Sequence, residues 1–359
     1  MAAPGLAAPA ADWTALARRG RIERRVRTGA VYAFLIAVSL PIILPYIWLV
    51  TVALSADRGI AETDVLWRAV AVLVPGLIAV WAAAMLAQTP RQRWLAILGA
   101  LAATILVFAL VVGPDLHLRN FIFLTDPNFA SVVRSRAGEV SGAMQYPNVW
   151  NAFLNSILLA GTQTVLVVTV ASLAGYYLSR FQFPGRAGML RTLLVLHAFP
   201  VLTLIVPLFL MLYWIGLLDS LLGVILVLVG FELPFAVFIM KGFFDAVPWD
   251  IEMSALTDGA SRRQAFFRVV LPQVTNGIIA ISVFSFIRGW EEYIFVFTFL
   301  IDSANWTMSL YMFFVRDDVM GVDYGVVSAV GVFYLVPSLV LYAAAQKYLM
   351  QMSIGGVKG

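Results

Sequence analysis

Residues 152–178 read AFLNSILLAGTQTVLVVTVASLAGYYL, a run without a charged side chain that ends at Ser179-Arg180. A helix rises ~1.5 Å per residue, so this run crosses the ~30 Å hydrocarbon core of a bilayer with residues to spare. Seven more apolar stretches lie on either side of it: 30–54, 69–87 and 94–113 before, and 190–214, 221–240, 274–300 and 324–349 after. Composition agrees. Of 359 residues, 62% are hydrophobic and 12% charged, about half the charged share of soluble domains; mean hydropathy is +0.91. The expected fold class is all-α, a polytopic transmembrane helix bundle of about eight spans. Pro41, Pro45, Pro75, Pro200, Pro207, Pro234 and Pro337 fall inside the spans. Neighbouring helices and waters re-satisfy the carbonyls that such prolines free.

Eight spans put both termini on one side, and the basic residues select which. With the N-terminus in the cytoplasm, that side holds Arg18, Arg19, Arg21, Arg24, Arg25, Arg27, Arg91, Arg93, Arg180, Arg186, Arg191, Lys241, Arg262, Arg263, Arg268, Lys347 and Lys358. The far side holds Arg58, Arg68, Arg119, Arg134, Arg136 and Arg316, and Arg288 lies within a span. The excess is positive-inside, so both termini are expected in the cytoplasm of a bacterium, with the chain multi-pass in its inner membrane. The net charge of +4 therefore reports orientation toward membrane lipid and does not point to nucleic acid. The basic flank of the first span and "ALSA" at 53–56 suit a cleaved signal peptide. An apolar run of roughly 25 residues exceeds an ordinary signal core, and it is read as a retained span.

Several chemistries are excluded. There is no cysteine, hence no disulfide or thiolate metal site, and His117 and His197 belong to no metal-ligand spacing. A phosphate-binding loop needs Gly-Lys-Ser/Thr, but Lys241, Lys347 and Lys358 follow Met240, Gln346 and Val357. No Gly-x-Ser-x-Gly elbow occurs. The chain is expected to have no ATPase site of its own.

Between two spans lies WDIEMSALTDGASRRQAFFRVVLP, residues 249–272. Pro248 suits the first turn of a helix, and Asp258-Gly259 suits its end, because glycine takes the left-handed C′ conformation without strain. Ser261 and Gln264 have capping-box spacing and open a second helix. Phe266, Val269 and Val270 give that helix an apolar face, and Pro272 stops it. On physics alone this helix–glycine–helix elbow is either an interfacial pair resting on headgroups or a docking element for a soluble partner.

The stretch resembles the cytoplasmic "EAA" loop of ATP-binding-cassette (ABC) importer permeases. Asp258-Gly259-Ala260, Phe266, Val269 and Leu271-Pro272 fit its pattern, while the Glu-Ala-Ala positions read Met253-Ser254-Ala255, with Glu252 one place earlier. "NSILLAGTQTVLVVTVASLAGYYLSRFQFPGR" (155–186), "ELPFAVFIMKGFFDAVP" (232–248) and "GGVKG" (355–359) look like the MalG-like permeases of carbohydrate importers, the binding-protein-dependent transport system inner-membrane components. The likeness covers about 30–54 and 148–359. It implies a basic cytoplasmic tail (1–29), a first core span (30–54), an inserted two-helix hairpin (65–113), an extracytoplasmic loop (114–150) and a permease core (151–359) carrying a coupling loop (248–272). It also implies a second homologous permease, two ATPase subunits and an extracytoplasmic sugar-binding protein as partners. ATP and Mg would be bound by the ATPases, with no cofactor in this chain. The coupling residues it implies are Glu252, Ser254, Ala255, Asp258, Gly259, Ala260, Phe266, Leu271 and Pro272, and the tail would also reach the ATPases. The sugar expected is a neutral di- or oligosaccharide, with a glycerol phosphate as the other possibility.

Inside the membrane, RGWEEYIF (288–295) places Arg288, Glu291 and Glu292 at a depth where charges are costly and face a bundle interior or a watery path. Trp290, Glu291, Glu292 and Tyr293 are candidates for the substrate path, with Glu232, Asn151, Asn155 and Gln163; carboxylates accept sugar hydroxyls and aromatic faces stack on rings. A local ion pair of Arg288 with the two glutamates is equally open. The alternative function is a proton-coupled secondary transporter using these carboxylates. His197, beside Pro200, is read as a packed residue. The outer loops 114–150 and 302–323 are the expected landing surface for a binding protein, with Trp306 and Tyr311 as contacts or as members of an interfacial aromatic belt. The hairpin is read as lipid-facing, or else as a contact for another subunit.

Overall fold

A computed structural model of the chain describes residues 13–55, 64–87, 89–126, 147–198, 200–316 and 323–355, with the backbone alone for 13–26 and 347–355. Most of the 114–150 loop, part of the 302–323 loop and the end of the GGVKG tail lie outside the described residues. Among the described residues there is no strand; one antiparallel bridge joins Ser55 to Leu116. Two compact units are distinguished: Met1–Thr51 with Asp64–Val112, and Val52–Thr63 with Gly113–Gly359.

The first unit contains most of α1 (Trp13–Leu54), together with α2 (Asp64–Leu86) and α3 (Pro90–Val111). Pro41, Pro45 and Pro75 are accommodated within α1 and α2. Thr89 caps α3 by accepting the Gln92 N–H at 3.3 Å, and Pro90 occupies the first turn, where no N–H is missed. α2 and α3 pack on each other as a hairpin. The most apolar stretches of α1 and α3 bury no residue within the protein. Lipid is as apolar as such side chains, so the exposure is not penalised there.

The second unit is built around α4 (Val149–Arg180), which packs on α7 (Leu221–Asp245) and then on α10 (Thr275–Glu291). α13 (Tyr324–Gly355) packs on α10 and on α12 (Met308–Arg316). Asn148 opens α4 by accepting the Trp150 N–H at 2.9 Å. The α4–α7 seam is tight at Gly175, where a Cβ would lie 2.8 Å from both the Lys241 nitrogen and Met240 Cβ. Leu159, Val167 and Ala171 of α4, with Val224, Met240 and Phe244 of α7, fill the core.

Among the described residues six helices are long and apolar enough to cross a membrane. Two bent helix pairs, Arg186–His197 with Val201–Trp214 and Arg262–Gln273 with Thr275–Glu291, give up to eight if each pair is one span. The expected fifth span, 190–214, is α5 (Arg186–His197) followed, at an 88° bend, by a 3-10 turn at Val201–Leu204 that leads into α6 (Ile205–Trp214). Pro200, extended at φ −66°, ψ 103°, stands at this bend, since a proline cannot donate into the preceding turn. The expected seventh span, 274–300, divides into α10 and α11 (Ile294–Phe299). Glu292 turns extended there (ψ 120°) and its carboxylate accepts the Phe295 N–H at 2.9 Å, opening α11.

Between α7 and α10 lie α8 (Trp249–Thr257) and α9 (Arg262–Gln273). Pro248 sits just before α8 as its cap residue and not inside the first turn. Pro272 does not stop α9 at once. Residues Phe266–Val270 form a π turn, in which Leu271 N–H reaches the Phe266 carbonyl, and the helix ends at Gln273. The wide turn makes room for a proline ring that an α turn would exclude.

On the far side of α7, Asp219 adopts a left-handed φ of 58° and its carboxylate accepts the N–H groups of Ile301 (2.9 Å) and Asp302 (3.1 Å) and Asn305 Nδ2 (3.1 Å). Burial pushes this carboxyl up, but the hydrogen bonds from Asn305, Ile301 and Asp302 outweigh it and hold the group below the ordinary aspartate value.

Candidate functional site

The elbow α8–α9 is defined by its caps. Gly259 has φ +89°; its N–H reaches Leu256 O (3.1 Å), while the Ala260 N–H reaches Ala255 O (3.0 Å). These are the two hydrogen bonds of a Schellman ending, which needs a left-handed residue at that place. Two residues on, Ser261 Oγ accepts the Gln264 N–H (3.3 Å) and Gln264 Oε1 accepts the Ser261 N–H (2.8 Å), a complete capping box. Asp250 and Glu252 lie in the first turn of α8, where the helix dipole favours negative charge. The corner is thus fixed by local chemistry on both sides of one glycine.

Of the coupling residues expected from the sequence, Ser254, Asp258, Gly259 and Pro272 are exposed, Ala255, Ala260 and Leu271 are half-buried, and Phe266 is buried against Tyr176 with ring centroids 4.6 Å apart. Glu252 turns wholly inward, with no exposed surface. Its Oε2 accepts Arg180 Nε at 2.9 Å and its Oε1 accepts the Tyr176 hydroxyl at 2.6 Å. Arg180 also donates to Val247 O at 3.0 Å and lies over the Trp249 ring. The outward face carries Trp249, Ile251, Met253 and Phe267 beside Arg262, Arg263 and Arg268.

A second site lies within the spans. Glu232 of α7 is buried, and its Oε2 accepts Gln163 Nε2 from α4 (2.7 Å) and the Ser285 hydroxyl from α10 (2.8 Å). It borders a cavity of about 360 Å³ whose polar lining is Gln163, His197, Glu232, Arg288 and Glu292. Clefts of ~300–1,000 Å³ with a few convergent polar groups are the usual form of small-molecule sites. His197 stacks on Phe235 at 4.8 Å. Glu291 is exposed and Tyr293 half-buried. Trp290 is buried and engaged with α13: its Nε1 donates to Tyr334 O and the Tyr334 hydroxyl donates back to Trp290 O, both at 3.1 Å. Among the described residues, no three His, Asp or Glu side chains converge as metal ligands.

Near the opposite end of α4, Asn155 Nδ2 donates to the carbonyls of Ala304 (2.9 Å) and Trp306 (3.0 Å), and Ser156 Oγ accepts the Met308 N–H (2.7 Å). Trp306 and Tyr311 are both buried, Trp306 stacked on Phe314 at 4.2 Å. The sequence did not single out Arg180, Tyr176 or Ser285. Arg180 counted there only toward orientation, although a basic residue closing an apolar helix and followed by aromatic Phe181 and Phe183 was a signal available for it.

Residues 143–351 match the family model of the binding-protein-dependent transport system inner membrane component. The chain is 35% identical over 201 residues to the diacetylchitobiose uptake system permease protein NgcG of Streptomyces coelicolor, covering 56% of this chain and 67% of that protein. It is 31% identical over 224 residues to the inner membrane ABC transporter permease protein YcjP of Escherichia coli, covering 62% and 79%. To the galactooligosaccharides transport system permease protein GanQ of Bacillus subtilis it is 27% identical over 288 residues, covering 77% and 100%. In fold it is similar to a chain of a bacterial ABC transporter involved in the import of the acidic polysaccharide alginate, with a TM-score of 0.62 at 17% identity over 90% of this chain and 97% of that one.

Proposed function

Because the chain belongs to the family of binding-protein-dependent transport system inner membrane components, we propose that it is the permease subunit of an ABC importer for a carbohydrate, coupled to partner ATPases through the α8–α9 elbow. It is a multi-pass inner-membrane protein. In this reading both termini and the elbow face the cytoplasm. Two ATPase subunits hold ATP and Mg, a second homologous permease completes the path, and an extracytoplasmic binding protein delivers the sugar.

The observation that carries the reading is the elbow itself, a rigid corner whose exposed rim offers apolar and basic groups to a soluble partner. Closing of the ATPases on ATP moves that corner as a body, and the helices attached to it reorient around the polar cavity. Glu232, Glu292 and Gln163 there offer acceptors and a donor suited to sugar hydroxyls. Supporting the substrate class, relatives are named for diacetylchitobiose and galactooligosaccharides. A neutral oligosaccharide fits this lining, whose carboxyl, amide and imidazole groups can hydrogen-bond to hydroxyls.

The test uses the absence of native cysteine. A Ser254→Cys chain, co-expressed with the neighbouring ATPase, permease and binding-protein genes, should crosslink to the ATPase, and the unmodified complex should import sugar into vesicles only with ATP. Solute movement by this chain alone would overturn the reading. Uptake that survives ATP depletion and collapses with an uncoupler would favour instead a proton relay through Arg288, Glu291 and Glu292.

A further inference from the structure

We propose that α4 carries the movement of the elbow across the bilayer, and that the buried Arg180–Glu252 ion pair is the joint through which it does so. This rests on the docking role given to the elbow above.

The covalent routes out of the elbow are poor transmitters. α9 leads into α10 through a 74° break at Val274. α10 is itself interrupted at Glu292, and α7 carries Pro234 within it. α4, by contrast, is one continuous helix of 32 residues and contains no proline. Both halves of the elbow hold its last turn and the residue after it. From α8, Glu252 binds Arg180 and Tyr176. From α9, Phe266 packs on Tyr176, and Arg262 lies over the Phe181 ring with its Cζ 5.3 Å from the centroid. The pair is fully enclosed, with side-chain exposures of 5% for Arg180 and 0% for Glu252. In such surroundings neither charge can separate from the other without facing an apolar interior alone, so elbow and helix end move together.

Farther along, the same helix reaches the cavity through Gln163, which holds Glu232, and the opposite loops through Asn155 and Ser156, which hold residues 304–308. A displacement imposed at Glu252 is therefore delivered to the carboxylate lining the cavity and to the segment beyond it by one element. Glu252 is a positioning residue in this scheme and not a contact to the ATPase.

The experiment uses the complete complex with its ATPases, second permease and binding protein in vesicles, and reads three quantities: co-purification of the ATPases, ATP hydrolysis, and sugar imported per ATP. In Arg180→Met and Glu252→Gln complexes the ATPases should stay bound and hydrolysis remain within about twofold, while sugar imported per ATP falls about tenfold, the scale of an ordinary coupling free energy. Arg180→Lys, which keeps the charge pair, should recover part of that ratio. Tyr176→Phe, which keeps the pair and removes one hydrogen bond, guards against misfolding of the harsher variants and should lower the ratio by a smaller factor. A wild-type ratio in Tyr176→Phe and Glu252→Gln overturns the joint. So does an equal loss of hydrolysis and import with ATPases still bound, which a merely structural role would give. Failure of the wild-type complex to hold ATPases at the elbow sinks the docking reading first and the joint with it.

Discussion

Gln163 and Glu232, 69 positions apart in the chain, are joined by a 2.7 Å hydrogen bond that ties α4 to α7 well inside the spans. Ser285 of α10 donates to the same carboxylate oxygen, so three helices meet at one atom. Replacing Gln163 with Leu leaves a buried carboxylate short of a donor, at a cost of ~1–3 kcal/mol. Ser285→Ala should cost less, ~1 kcal/mol, because Gln163 still serves that oxygen. Thermal unfolding of the detergent-solubilised protein measures both, and equal midpoints for the two variants and the wild type would remove this cluster as a structural contact.

Gly175→Ala should destabilise the α4–α7 seam. The added carbon meets backbone at Lys241 and the Cβ of Met240, both at 2.8 Å, and neither is the end of a flexible chain. Overpacking of this kind costs ~1–3 kcal/mol. Gly161→Ala, on the same helix with open space around it, is the control and should be neutral or stabilising in the same melt.

The elbow's corner makes separable predictions at Gly259 and at Ser261. Gly259→Ala places a Cβ at φ +89° and should cost ~1–2 kcal/mol locally, with sugar uptake reduced; Gly259→Asn should cost less, since asparagine tolerates that conformation. Ser261→Ala removes the cap of α9 and should cost about 1 kcal/mol. Gly259→Pro should abolish uptake while the protein still reaches the membrane. Uptake assays paired with membrane-fraction immunoblots decide each case.

Asp219 sets an acid limit. Its folded pKa lies below the ordinary aspartate value of 3.8. The stability it contributes is therefore complete above that value and is lost as pH falls through the folded one. Asp219→Asn, which keeps the left-handed backbone acceptable, should flatten the acid side of a melting-temperature profile taken below about pH 5. An unchanged acid limb would assign the loss to other carboxylates.

Much of this architecture was legible because lipid imposes length and composition on every span. The elbow could be read from Asp258-Gly259 and from Ser261 and Gln264, since caps are local chemistry. What hydropathy could not see were the breaks. Residues 190–214 and 274–300 each read as one span even with Pro200 in the first and Arg288, Glu291 and Glu292 in the second, yet the chain turns at Pro200 and at Glu292. Nor could spacing rules reach the Arg180–Glu252 pair, whose members are 72 positions apart; they see only neighbours three or four residues away. Trp290 shows the same gap. Its charged surroundings suggested an open path, and its partner Tyr334 lies 44 positions later.

His197 ends α5 and Glu292 stands between α10 and α11, and both border the same cavity. That chamber is therefore lined in part at the places where the chain is already bent. In the coupling scheme proposed above, a shift of α4 reaches this chamber through Gln163 and Glu232, next to corners where the chain is not held in a continuous helix.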